Sequence, residues 1–159
     1  MIIRPATPDD AGAIWQILEP VIRAGETYAL PPDWSEAEAL AYWSAPGHTV
    51  FVAEDGAILG TYYLHANQRG GGAHVANCAF MTAPSAAGRG VATAMCAHAL
   101  QYAADAGYVA MQFNFVVSTN ERAIALWRRF GFEIVGRLPG AFRHPKHGPV
   151  DAFVMYRKL

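Results

Sequence analysis

The sequence predicts an α/β fold, a mixed sheet flanked by helices, and three observations carry that reading. Strand-like and helix-like apolar patterns alternate along the chain in the order β-α-α-β-β-β-α-β-α-β-β. The 159 residues are 53% apolar and 16% charged, a balance that closes a sizeable core. Turn residues separate the patterns, and no internal repeat, low-complexity tract or linker divides them. Residues 1–159 are therefore expected to form one domain.

Ile2–Pro5 reads as a short strand, and Thr7-Pro8-Asp9-Asp10 as a helix start capped by Thr or Asp. Ile14, Ile17, Leu18, Val21 and Ile22 then recur at helical spacing. Pro20 lacks an amide proton, so it is expected to break or kink that helix near Glu19. Gly25–Trp34 is a loop, and Ser35-Glu36-Ala37-Glu38 opens a second helix running to Trp43. Val50–Glu54 and Ala57–His65 form an antiparallel hairpin turning at Asp55-Gly56. A glycine-rich turn at Gln68–Gly72 leads into a strand over Ala73–Thr82. Gly90–Ala106 is a helix ended by Gly107, Ala110–Val117 a strand, and Asn120–Phe130 a helix closed by Gly131. Glu133–Leu138 and Val150–Arg157 complete the sheet, with Leu138–Gly148 as a loop between them.

The formal net charge is −1 and there is no Lys/Arg run, which argues against a nucleic-acid partner. No charged and apolar leader pattern and no apolar run of transmembrane length occur. A cytoplasmic protein without a membrane partner is the expectation. Mean hydropathy of +0.12 points to an apolar surface covered by a second subunit, hence a homodimer. Cys78 and Cys96 lie in apolar elements and read as buried thiols, with no disulfide framework or metal site.

The most informative stretch is Asn77–Met95. An apolar strand turns at Pro84, passes through Gly88-Arg89-Gly90, and enters a helix at Val91-Ala92. The first amides of a helix have no intrahelical acceptor and carry partial positive charge, and glycines let a ligand approach them. The result is a phosphate or pyrophosphate site. A second motif follows in Asn120-Glu121-Arg122-Ala123-Ile124-Ala125-Leu126-Trp127, ending at Phe130-Gly131-Phe132.

Both segments resemble the GCN5-related N-acetyltransferases, the GNAT family, and the element order matches over nearly the whole chain. The resemblance implies the GNAT fold, in which a mixed central sheet has splayed middle strands and a bulge marks the first of them. It also implies acetyl-CoA as co-substrate, no metal, and N-acetyltransferase activity. The family's Arg/Gln-x-x-Gly-x-Gly/Ala loop falls on Ala87-Gly88-Arg89-Gly90-Val91-Ala92, with alanine at the Arg/Gln position. The implied cofactor residues are Met81, Gly88, Arg89, Gly90, Val91, Ala92, Asn120 and Trp127. Arg89 would add a charge-assisted contact, and Asn120 would cap its helix and meet the pantetheine arm. The tyrosine that often protonates the departing thiolate is replaced by Trp127, whose indole does not ionise. Ser118 and Thr119 are nearby hydroxyls, and neither is marked as the acid.

Many family members place a glutamate base on the strand at Ala73–Thr82; this chain has none there. Asn77 on that strand, and Gln112 and Asn114 on Ala110–Val117, put uncharged amides into the splay, where an amide is costly unless bonded. Residues 74–80, 113–114 and 118–120 are similar to the fungal azetidine-2-carboxylate acetyltransferases and, more broadly, to phosphinothricin acetyltransferases. That likeness implies a small amino-acid acceptor, proline-like or glutamate-like. It implies Asn77 as catalytic, Phe80 as lining the acceptor pocket, and Asn114 as the carboxylate anchor. A peptide or protein N-terminal acetyltransferase and a non-catalytic acyl-CoA-binding sensor are the rivals. His74 is either a proton relay or a surface strand end, and His144 and His147 read as a solvated loop. Tyr28, Trp34, Tyr42 and Trp43 either roof the acceptor pocket or belong to the core.

Overall fold

Alternation along the strands builds two apolar layers on one sheet. The computed structural model describes all residues, Met1–Leu159. Strands β1 (Ile2–Pro5), β2 (Thr49–Glu54), β3 (Ile58–Ala66) and β4 (Val75–Thr82) pair antiparallel in sequence order. β5 (Ala110–Val117) joins β4 in parallel, and β7 (Gly148–Lys158) lies between β5 and the edge strand β6 (Glu133–His144). The sheet order is β1-β2-β3-β4-β5-β7-β6.

One face carries α1 (Ala11–Ala24) and α2 (Glu36–Trp43), whose Ile14, Ile17, Leu18 and Trp43 pack with Val52, Tyr63, Ala79 and Met81. The other carries α3 (Val91–Asp105) and α4 (Glu121–Arg129), whose Met95, Cys96, Ala99 and Trp127 pack with Tyr62, Cys78, Phe80 and Phe113. Neighbours on β4 thus serve opposite layers. Ser35 accepts from Glu38 N at 3.2 Å and its own amide donates to the Glu38 carboxylate at 2.7 Å, the reciprocal cap that starts α2. Trp43 Nε1 donates to Thr61 Oγ1, which donates to Phe51 O, so the polar atoms of this buried pair are satisfied.

Three elements differ from expectation. Pro20 does not break α1, which continues to Ala24. The carbonyl that loses its donor belongs to Gln16, which is exposed and open to water, while Ile14, Ile17, Leu18 and Ile22 hold the buried face. The segment 138–148 is not a loop: β6 and β7 form a long hairpin turning only at residues 145–147. Pro139 and Gly140 are absorbed in a bulge between Leu138↔Ala152 and Phe142↔Val150, tied down by Gly140 N donating to Asp151 Oδ1 at 2.9 Å. The bulge expected on the strand at 73–82 is also absent, since the β3–β4 register runs unbroken from Gly60↔Thr82 to Ala66↔Ala76. The irregularity sits on β5, between Phe113 and Val116.

Gly60 lets α3 approach the sheet. A Cβ there would lie 2.7 Å from Val91 Cγ1 and 2.9 Å from the Met95 side chain. Gly60→Ala is expected to cost about 1–3 kcal/mol, read as a lower urea midpoint at unchanged slope. A midpoint equal to the parent's would show that α3 can recede freely.

Candidate active site

The parallel pair β4–β5 holds for two steps, Val75↔Ala110 and Ala76↔Met111, and then parts. The gap opens into a cleft of about 690 Å³, a size suited to a small-molecule site. Asn77 is the first β4 residue past the last rung. Its Nδ2 donates to Gln112 O at 2.8 Å, bridging the strands where they separate. Gln112 O can only accept, so the amide orientation is fixed and Asn77 Oδ1 faces His65 Nε2 at 3.1 Å. His65 therefore carries its proton on Nε2 and donates. Burial and the neighbouring His48, 4.7 Å away between ring centres, hold the His65 pKa below its ordinary value. Asn77 keeps one N–H and one oxygen lone pair unused.

Asn114 also lines the cleft. Its Oδ1 accepts from Gln112 Nε2 at 2.9 Å, and its Nδ2 donates to Asn67 Oδ1 at 2.6 Å. Three amides thus support one another at the outer end of the splay. Gln112 faces Asn114 and is not part of the cleft wall.

At the other end lie Gly88, Gly90, Val91 and Ala92. Gly88 (φ +78°) and Gly90 (φ +76°) are left-handed, and a Cβ on either would meet nothing within 4 Å. The backbone leading into α3 is therefore bare, which fits a pyrophosphate-sized group against the first helical amides. Arg89 does not join it. Its guanidinium pairs with Asp55 at 2.9 Å, outside the cleft, because the hairpin turn of β2–β3 lies beside this loop. The cations that do line the cleft are Arg122 and Arg129, two turns apart on α4. No carboxylate lines it.

Asn120 caps α4, accepting from Ala123 N at 3.4 Å, and lines the cleft together with Trp127 and Met81. Phe80 lines it too, yet its ring lies 5.2 Å from Trp127 on the α3–α4 face, away from the N-terminal helices. Strict alternation on β4 turns its neighbour Met81 toward the α1–α2 layer.

The aromatic cluster divides. Trp43 is core, 1% exposed, whereas Tyr28 and Tyr42 line the cleft and Trp34 packs on Tyr42 at 5.2 Å. The Tyr28 hydroxyl accepts from Phe80 N at 3.0 Å and donates to Phe80 O at 2.6 Å. Burial pushes its pKa up, so the phenol keeps its proton.

His74 is exposed and does not line the cleft. Cys78 and Cys96 are buried free thiols, and burial pushes Cys96 up to about 12. His144 is buried at the end of β6, not in a solvated loop, and its ring lies tilted 4.6 Å from that of His147 on the β6–β7 turn. No group of three or more His, Cys, Asp or Glu side chains is gathered where it could hold a metal ion. Sequence reasoning missed His65, Arg122 and Arg129 as site residues. The two arginines share a face at i, i+7, a spacing legible in the sequence. His65 is joined to Asn77 only through the β3–β4 register.

Comparison with known proteins gives a consistent result. Residues 14–132 match the pattern of the Acetyltransferase (GNAT) family. The structure of a GCN5-related N-acetyltransferase from Kribbella flavida is similar over 99% of this chain and 97% of its own, at 41% identity and a TM-score of 0.94. A GNAT-superfamily phosphinothricin acetyltransferase from Sinorhizobium meliloti, solved with acetyl-CoA, aligns over 99% of this chain and 88% of its own, at 25% identity and a TM-score of 0.85. N-acetyltransferase aca1 of Schizosaccharomyces pombe is 33% identical over 98 residues, 61% of this chain, which spans about half (47%) of that relative's length.

Proposed function

The chain belongs to the acetyltransferase (GNAT) family, and from that premise we propose that it transfers acetyl from acetyl-CoA to the amino group of a small amino acid, proline-like or glutamate-like. The observation that carries the reading is the splay itself, with bare glycine backbone at one end and uncharged amides at the other. In this reading the pyrophosphate rests against the amides of Gly88–Ala92, with Arg122 and Arg129 as cations for the phosphates. Asn120 and Trp127 flank the pantetheine arm. The loop after α1 roofs the cleft with Tyr28 and Leu30, which favours a small acceptor over an extended peptide. The likeness to a phosphinothricin acetyltransferase supports an amino-acid-like acceptor.

Transfer forms a C–N bond between the neutral amine and the thioester carbon, and the C–S bond then breaks to release CoA thiolate. An amine with pKa near 10 costs about 4 kcal/mol to deprotonate at neutral pH. Alignment can offset about 7–11 kcal/mol, so a carboxylate base is not obligatory. Asn77, held by His65 and Gln112 O, would present its remaining N–H and lone pair to the amine or to a water taking its proton. A thiol with pKa near 8.5 leaves without an acid at position 127. We include a homodimer in the proposal, with Val135 and Leu138 exposed on edge strand β6 as support; sedimentation at assay concentration tests it. No helix is long and apolar enough to cross a membrane.

Thiol release from acetyl-CoA across an amino-acid panel tests the function. Turnover with one or a few amino acids is expected, and turnover with peptides alone would overturn the acceptor class. Asn114→Ala is expected to raise the acceptor KM about tenfold with little change in kcat, and decarboxylated amines should be poor substrates. Equal reaction of simple amines and amino acids would remove the anchoring role.

A further inference from the structure

Phe80 pairs with Tyr62 in the β3–β4 ladder, but its own N–H and C=O point into the splay, where β5 has already departed. A parallel strand would ordinarily satisfy both groups. One hydroxyl does so instead: Tyr28 Oη accepts from Phe80 N at 3.0 Å and donates to Phe80 O at 2.6 Å. It reaches there from the loop between α1 and α2, fifty-two residues away. A peptide in that position would be locked, but a phenol carries one proton that turns about the C–O bond. The donation to Phe80 O can be redirected to another acceptor while the bond from Phe80 N is kept. An N–H given into the hydroxyl oxygen also strengthens that oxygen's own donation.

We propose that the Tyr28 hydroxyl, backed by Phe80 N–H, is the donor to the thioester carbonyl oxygen during acetyl transfer. This rests on the acetyl-transfer reading of the same cleft. As the amine nitrogen bonds to the carbonyl carbon, the π pair moves onto oxygen and Tyr28 O–H turns from Phe80 O to that oxygen. The pair returns as the C–S bond breaks, the thiolate leaves with its electrons, and the amine's proton leaves to water. Tyr28 gives a hydrogen bond and keeps its proton throughout, as a buried phenol does. A hydroxyl is thereby restored to a cleft whose position 127 is an indole, and it comes from the acceptor's side of the sheet. Chemistry and acceptor closure then depend on one residue.

The test uses the whole protein and acetyl-CoA labelled with ¹³C at the thioester carbonyl. Binding to the parent should lower the carbonyl infrared frequency. Tyr28→Phe should return the band toward that of free acetyl-CoA, hold the Kd for acetyl-CoA within about twofold, and lower kcat about 10²–10³-fold, as removal of one such donor does. 3-Fluorotyrosine at position 28, a stronger donor of the same shape, should deepen the shift and serves if the phenylalanine variant does not fold. A band that Tyr28→Phe leaves in place or lowers further, or a kcat that rises, would mean the hydroxyl only plugs Phe80 N–H, and the proposal falls alone. Failure of the parent to bind acetyl-CoA would overturn the acetyl-transfer reading and this proposal with it.

Discussion

Replacing Asn77 with alanine is expected to lower kcat about a hundredfold or more while acetyl-CoA binds as before. The side chain stands at the first position where β4 and β5 no longer pair, and its amide orientation is fixed by Gln112 O, which only accepts, with His65 Nε2 against its oxygen. Truncation removes the group proposed to align the amine and also takes the Asn77 donor from Gln112 O. Alignment is the term the mechanism leans on, because no carboxylate lines the cleft. The pH profile separates this role from that of a base. His65 has a lowered pKa, so it is already neutral above about pH 6.5 and adds no step there. The rate should climb steadily with pH as free amine accumulates. A profile set by a single ionisation below that point, lost in His65→Ala and kept in Asn77→Ala, would transfer the role to His65.

Gly90→Val should raise the KM for acetyl-CoA at least tenfold while unfolding stays cooperative. The residue caps α3 at φ +76°, a conformation that costs an L-residue about 1–2 kcal/mol and a branched one more. The surrounding protein offers no clash, since a Cβ meets nothing within 4 Å. That empty space is the approach to the first amides of the helix, so the added side chain stands where the pyrophosphate is proposed to lie. Calorimetry showing unchanged acetyl-CoA affinity would remove the loop from the binding site.

Much of this arrangement was legible along the chain because its signals are local. Asp55-Gly56 marks a turn, Gly88-Arg89-Gly90 precedes a helix, and Ser35 and Glu38 cap another. Amides inside apolar strands exposed Asn77 and Asn114. What escaped depends on partners distant in sequence. Arg89 looked like a phosphate ligand until Asp55, thirty-four residues earlier, was seen to hold it. His65 meets Asn77 through a register set by an irregular connection, and Tyr28 meets Phe80 from a loop fifty-two residues earlier. Pro20 and the segment Leu138–Gly148, where Pro139 and Gly140 lie, differ from expectation for another reason. Each breaks a local rule at a place where exposure to water or a bulge makes the breach inexpensive.

The loop between α1 and α2 touches the rest of the molecule through few fixed points. Arg23 reaches Pro32 O, Lys146 on the β6–β7 turn pairs with Glu26 at 2.7 Å, and Tyr28 meets Phe80. It contributes no rung to any ladder; Tyr28, Leu30 and Trp34 pack on the α1–α2 core, and its other side chains can change without disturbing the sheet or the glycine loop. In the proposed reading this loop shapes the acceptor side of the cleft, Asn114 holds the acceptor from β5, and residues 88–92 receive the pyrophosphate. Descendants of this scaffold are expected to drift toward new amines first through residues 25–34, around a retained Asn114 and the hydroxyl at position 28.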